Sequence, residues 1–283
     1  MQLSVFHRTR YHYRSPVRDS YNELRLRPAT ADAERLQFFL LNVHPPVRLR
    51  HFRDDYYNYV HYFELAEPHY QLTVEAQSTI NTTSQYADGL PLGVPFSNLA
   101  GPKADVMRPF LDSSRYVSID ADLWKLAIDI SHGQEGVFES AQAIMAYIHT
   151  HWEYAPNTTS ASTHLREVMA TKRGVCQDFT HVMIGLCRAL HIPARYVSGY
   201  LYNGPEDVLK GAQASHAWCE IYVPEKGWYG LDPTNNVWAD ERHLKIATGR
   251  DYHDAAPVSG HFDGPPGASS GIEEKLQVEM LGP

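Results

Sequence analysis

The 283-residue sequence predicts an α+β protein, with an antiparallel β-sandwich first and a region of helices packed on an antiparallel sheet after it. Three observations predict this. From residue 3 to 80, apolar and polar residues alternate with period two, with turn signals roughly every ten residues. From 121 to 191, apolar residues recur at spacings of three and four. From 194 onward the period-two pattern returns.

The elements follow in order. LSVFHRTRYHYRS alternates and is expected to stop at Pro16. YNELRLRP puts Leu24 and Leu26 on one face and Arg25 and Arg27 on the other. LQFFLLNVHPP is an apolar run ended by Pro45 and Pro46. YVHYFELAEP and YQLTVEAQSTIN come next, the second setting Leu72, Val74, Ala76 and Ile80 against Thr73, Glu75, Gln77 and Thr79. Together these define an N-terminal β-sandwich domain over residues 1–82. Residues 83–120 are rich in Pro, Gly and Ser and read as a surface connection. The second domain, 121–283, opens on helices. ADLWKLAIDI follows Asp120, and VFESAQAIMAYIHTHW carries Val137, Phe138, Ala141, Ile144, Met145 and Ile148 on one stripe. THLREVMATKRG is a short helix ending at Gly174, and residues 176–191 form the next. The strands ARYVSGYLY, HAWCEIYVPE and GWYGLDPT complete the sheet, and KLQVEML is a last strand.

Bulk properties narrow the function. A net charge of -8 argues against a nucleic-acid binder, which needs a clustered positive field. No run approaches the roughly 20 apolar residues that span a bilayer. The first twenty residues hold no apolar stretch of signal-peptide type, and three Cys suit a reducing compartment. The expected location is therefore the cytoplasm, with no membrane partner.

The reactive constellation starts at Cys176, the first residue of a helix whose Phe179, Met183, Leu186 and Leu190 share its face. A buried helix start is a costly place for a thiol unless its free N–H groups and positive dipole end are used to favour a thiolate. Forty residues on, His216 opens a strand otherwise fit for burial, sharing a face with Trp218 and Glu220. Sixteen further on, Asp232 ends the next strand before Pro233. A hairpin turning at Pro224 to Gly227 would set 216 and 232 opposite one another. Cys176 is then the nucleophile, His216 its base, and Asp232 the group that orients the imidazole and stabilises the imidazolium.

GVCQDFTHVMIGLCRALHIPARYVSGYLY and SHAWCEIYVPEKGWYGLDPTNN resemble the core of bacterial transglutaminase-like proteins. HRTRYHYRSPVRDSYNELRLRP with PHYQLTVEAQSTI resembles the N-terminal β domain found with that core, and GRDYHDAAPVSG the segment after it. The resemblance implies a papain-like, transglutaminase-like catalytic core with Cys176, His216 and Asp232 as triad. It implies attack on a carboxamide of a peptide or protein substrate, loss of an amine and a thioester acyl-enzyme. Hydrolysis by a cysteine peptidase or amidase is slightly preferred over protein-glutamine acyl transfer, and a non-catalytic binding module on the same fold is the rival.

The backbone N–H of Cys176 is one oxyanion donor. Trp152 and Gln177 are candidates for a second, although core packing is the preferred account of Trp152 and an exposed first-turn position accounts for Gln177 equally simply. Asp178 should point away from Cys176 or bond local N–H groups. Cys187 lies eleven residues past Cys176, roughly 16 Å along a helix, and with Cys219 reads as core. No HExxH, CxxC or EF-hand spacing occurs, so no metal or other cofactor is expected.

Overall fold

A computed structural model describes every residue except 31–32, 102, 161–162, 205–208, 212–214 and 283. The N-terminal part is built on β1 (Gln2–Leu24), β2 (Glu34–His44), β3 (Arg50–Arg53), β4 (Tyr59–Leu65) and β5 (His69–Thr82), in the order β2-β5-β1-β4-β3. β1 does not stop at Pro16. Its first half pairs with β5, from Gln2↔Asn81 to His12↔Gln71, and the register then jumps to Val17↔His69. Its second half pairs with β4, from Ser20↔Leu65 to Leu24↔His61. Pro16 sits in the irregular stretch where β1 exchanges partners, so its missing N–H costs no ladder bond there. Alternate residues of both halves close over one core, with Leu3, Val5, Val74 and Ile80 meeting Leu24, Phe63 and Leu65.

Residues 83–120 run over the second part of the molecule and include the one-turn helix α1 (Ala104–Met107). Tyr86, Leu90, Val94, Phe96 and Leu99 pack against its core, and Val117 is fully buried in it. The helices follow as α2 (Ala121–Ser131), α3 (Val137–His151), α4 (Leu165–Thr171) and α5 (Cys176–Ala189). Asp120 caps α2 by accepting the Leu123 N–H at 3.0 Å. β6 (Glu153–Tyr154) pairs in parallel with β7 (Arg173–Gly174). α4 therefore ends before Gly174. Lys172 turns left-handed at φ 51° and releases the next two residues to β6.

The second sheet contains β8 (Ala194–Leu201), β9 (His216–Val223), β10 (Gly227–Asp232), β11 (Val237–Trp238) and β12 (His243–Gly249), in the order β11-β10-β9-β8-β12. Ala217, Cys219 and Ile221 join the apolar cluster built around α5, while Trp218 packs with Val197 and Ala239 elsewhere. Every residue of α5 except Gln177 is buried, because α5 lies between β9 and the helices α2, α3 and α4. Gly185 makes that possible: a Cβ there would stand 2.9 Å from Leu165 Cδ2 and 3.0 Å from Leu123 Cδ2.

After α6 (Tyr252–Ala255), β13 (Val258–Asp263) and β14 (Ser269–Met280) return to pair with β1. Residues 258–280, grouped above with the second domain, thus complete the N-terminal sheet. An alternating pattern marks a strand and its buried face, but it does not say which partner the strand will find. Tyr200, Leu244 and Ile246 of the second sheet are part of the N-terminal core cluster. Asn58 extends the contact, donating from Nδ2 to the Thr248 carbonyl at 2.7 Å and accepting the Thr248 N–H at 2.8 Å.

Candidate active site

Cys176 is the first residue of α5, with extended Val175 before it. Its N–H is one of the helix-start donors that have no carbonyl within the helix. Gly174 allows the approach, since a Cβ there would lie 2.5 Å from Asp178 Oδ2. Asp178 turns that oxygen back onto the helix start, accepting the Val175 N–H at 2.8 Å and the Thr159 hydroxyl at 2.6 Å. It is spent on local donors, as its first-turn position predicts. Burial raises its pKa, and those two hydrogen bonds work against the rise.

His216 begins β9 and Asp232 ends β10, and both side chains are sealed from solvent. His216 Nε2 lies 2.8 Å from Asp232 Oδ2. The hairpin register differs from the expectation by one pair. Gly227 faces Val223 and Leu231 faces Cys219, so Asp232 comes level with Trp218, two residues from His216 on the same face. The side chains meet diagonally, which a long imidazole can span. Asp232 is held from all sides: Oδ1 accepts the N–H groups of Thr234 at 2.9 Å and Asn235 at 3.3 Å. Oδ2 also accepts Asn235 Nδ2 at 2.8 Å and lies 3.3 Å from His243 Nε2.

Burial penalises the His216 imidazolium, yet the Asp232 charge and hydrogen bond, with help from Cys176, push its pKa up to about 10. Burial likewise opposes the Asp232 carboxylate, and the two imidazoles overcome it and hold the group well below the usual range. Because Nε2 is taken by Asp232, Nδ1 is the nitrogen left for the thiol. Nδ1 has no fully formed hydrogen bond, so the thiol is near enough to affect the imidazole without being locked to it. Loose pairing of this kind is common before substrate binds.

Three neighbours escaped the sequence. Tyr154 sits in β6, opposite Gly174 in the parallel pair and edge-on to Phe179 at 6.3 Å. Burial, with the charges of Cys176 and Asp232, pushes its hydroxyl up to about 12. Lys210 places its ammonium 5.6 Å from the Tyr154 ring centre. Its backbone is clasped by Asn235, which accepts the Lys210 N–H at 2.8 Å and donates to its carbonyl at 3.2 Å. Gly211, at φ 87°, abuts the imidazole so closely that a Cβ would stand 2.6 Å from Nδ1. The remaining candidates are placed less directly. Gln177 is half-buried in the first turn of α5. Trp152 packs in the same apolar cluster as Cys176, and its indole N–H lacks a partner among the described residues.

Cys187 and Cys219 are fully buried in the core, as expected, and they are also neighbours. Burial and the Cys187 contact push the Cys219 thiol far up, which makes it a poor nucleophile. Among the described residues, His216, Asp232 and His243 bring three ligand-type atoms within 4.8 Å of one another. Asp232 Oδ2 lies within hydrogen-bond reach of both imidazoles. No helix is long and apolar enough to cross a membrane, among the described residues.

Comparison with known proteins agrees with this fold. Residues 125–233 match the transglutaminase-like superfamily, and residues 3–81 match the bacterial transglutaminase-like N-terminal region. An uncharacterized protein of Mycobacterium tuberculosis is 32% identical over 278 residues, covering 90% of this chain and 86% of its own length. A protein-glutamine gamma-glutamyltransferase of Pseudomonas aeruginosa is 36% identical over 98 residues, which is 31% of this chain and 14% of that protein. A candidate cysteine protease of Cytophaga hutchinsonii superposes over 100% of this chain and 92% of its own, with TM-score 0.77 and 26% identity.

Proposed function

The chain belongs to the transglutaminase-like superfamily, and from that premise we propose that it is a cysteine enzyme that cleaves amide bonds of peptides or proteins. The observation that carries this reading is the sealed His216–Asp232 pair, 2.8 Å apart, beside a thiol at the first turn of α5.

The chemistry follows from the protons. Sγ gives its proton to His216 Nδ1, and Asp232 stabilises the imidazolium that forms. Sγ attacks the carboxamide carbon, the carbonyl electrons move onto oxygen, and the Cys176 N–H donates a hydrogen bond to that oxygen. The oxygen lone pair returns, the C–N bond breaks, and His216 Nδ1 gives its proton to the departing amine. A thioester remains. Water then attacks it while Nδ1 takes the proton, the C–S bond breaks, and the acid and the thiolate are released.

An acceptor amine in place of water would make the same intermediate a transferase. The local identity to the Pseudomonas protein-glutamine gamma-glutamyltransferase favours that second reading. Incubation with a glutamine-containing protein such as casein separates them. Ammonia or new peptide ends without added amine mean hydrolysis, and incorporation of a labelled primary amine means transfer. Absence of both, with Cys176 no more reactive to iodoacetamide than the other two thiols, would overturn the enzyme reading.

A further inference from the structure

His243 has a placement that the triad does not require. It opens β12, which β8 and β9 separate from β10 in the sheet, yet its buried ring reaches the carboxylate at the end of β10. Nε2 lies 3.3 Å from Asp232 Oδ2, the same oxygen that faces His216 Nε2 at 2.8 Å. On its far side, Nδ1 accepts the Asp240 N–H at 3.3 Å and lies 3.4 Å from Asp240 Oδ1. Asp240 is itself clamped by Arg242, at 3.0 Å from Nε and 2.8 Å from Nη2. Trp218 packs edge-on against the His243 ring at 5.2 Å.

Nδ1 can accept the Asp240 N–H or donate to Asp240 Oδ1. With the N–H donating, the proton of a neutral ring sits on Nε2. That proton points at Asp232 Oδ2. A buried imidazole needs partners for both nitrogens, but packing alone gives no reason to choose the oxygen that carries His216.

We propose that His243 is a positioning residue, which pins Asp232 against His216 and moderates the carboxylate's grip on the imidazolium. The proposal rests on the cysteine-enzyme reading of the same site. An oxygen shared among His216, His243 and Asn235 binds each donor less firmly than one devoted to His216. The consequence is catalytic, because His216 must release its proton to the leaving amine and take one back from water. The other charged groups facing the two rings are Cys176 at His216, and Asp240, Arg242 and Glu34 around His243. Lys245 and Glu220 lie beyond them in the sheet.

Nitrogen-15 NMR of the histidine-labelled full chain tests the tautomer without mutation. The expected His243 spectrum at neutral pH has a proton on Nε2, and an Nε2 without one overturns the proposal. In His243→Leu the His216 titration should move up by about half a pH unit or more, and His243→Gln, which restores an N–H donor, should bring it back. An unmoved titration in His243→Leu overturns the proposal. Iodoacetamide labelling separates the two failures. If Cys176 reacts selectively and depends on His216 while His243→Leu changes nothing, only the proposal falls. If Cys176 reacts no faster than Cys187 and Cys219, the enzyme reading falls with it.

Discussion

Asp232 Oδ2 stands 2.8 Å from His216 Nε2 inside a sealed part of the protein, so the pair is bound to make stability depend on pH. His216 is raised from its ordinary 6.5 to about 10, against the pull of burial. A histidine raised in the fold adds stability that is full below its ordinary value and lost as pH climbs through the raised one. Asp232, lowered from 3.8, adds stability above that value that is lost on acidification. The stability gap between the unmodified protein and His216→Gln, from urea unfolding, should be widest between about pH 4 and 6.5 and should close toward pH 10. A gap that stays constant across the upper range would rule out an imidazolium at position 216.

Gly211 is predicted to be irreplaceable for reactivity. A Cβ there would meet His216 at 2.6 Å from Nδ1 and 3.2 Å from Cε1, and φ 87° is strained for any other residue. Gly211→Ala should slow iodoacetamide alkylation of Cys176 about tenfold or more, with the far-ultraviolet circular dichroism unchanged. An alkylation rate equal to that of the unmodified protein would mean that the loop does not press on the imidazole.

Burial, with the charges of Cys176 and Asp232, pushes the Tyr154 hydroxyl up to about 12, and we predict that it joins Gln177 and Trp152 as a candidate second oxyanion donor. Loss of one such donor costs about 100-fold in the acyl-transfer rate. Tyr154→Phe should show that loss in amide cleavage while leaving iodoacetamide alkylation, which has no oxyanion, within about threefold. Equal losses in both assays would point instead to a disturbed thiol.

Glu34 ties the N-terminal sheet to β12 by accepting the Lys245 N–H at 3.1 and 3.2 Å. Burial pushes its carboxyl up to about 7, with Lys245 pulling the other way. A carboxyl raised in the fold adds stability that is full below its ordinary 4.5 and lost as pH rises through about 7. Glu34→Gln keeps an acceptor and removes the charge, so its stability should fall less than that of the unmodified protein between those values. Parallel curves from thermal unfolding would refute the assignment.

Much of the candidate triad was legible because each member sits at an element boundary marked by local signals. The apolar stripe dates the start of α5 at Cys176, the alternation starts β9 at His216, and Pro233 closes β10 after Asp232. The exact pairing was not legible: a hairpin centred one residue later than assumed moves Asp232 from opposite His216 to diagonal. Pro16 misled for a related reason. It marks a break in hydrogen bonding, which can be a strand end or, as here, a place where one long strand changes partners.

Tyr154, Gly211 and His243 carry ordinary signals in the sequence, one a short strand residue, one a loop glycine, one a strand start. Their importance comes from long-range closure of the fold, which brings β6, Gly211 and β12 toward one carboxylate and one imidazole. Periodicity is a property of neighbouring residues, so the chain alone could indicate the helices, the strands, their buried faces and the candidate triad of Cys176, His216 and Asp232. Which strand completes the N-terminal sheet, and which third imidazole shares Asp232, depend on contacts between residues far apart in sequence, and only the folded packing decides those.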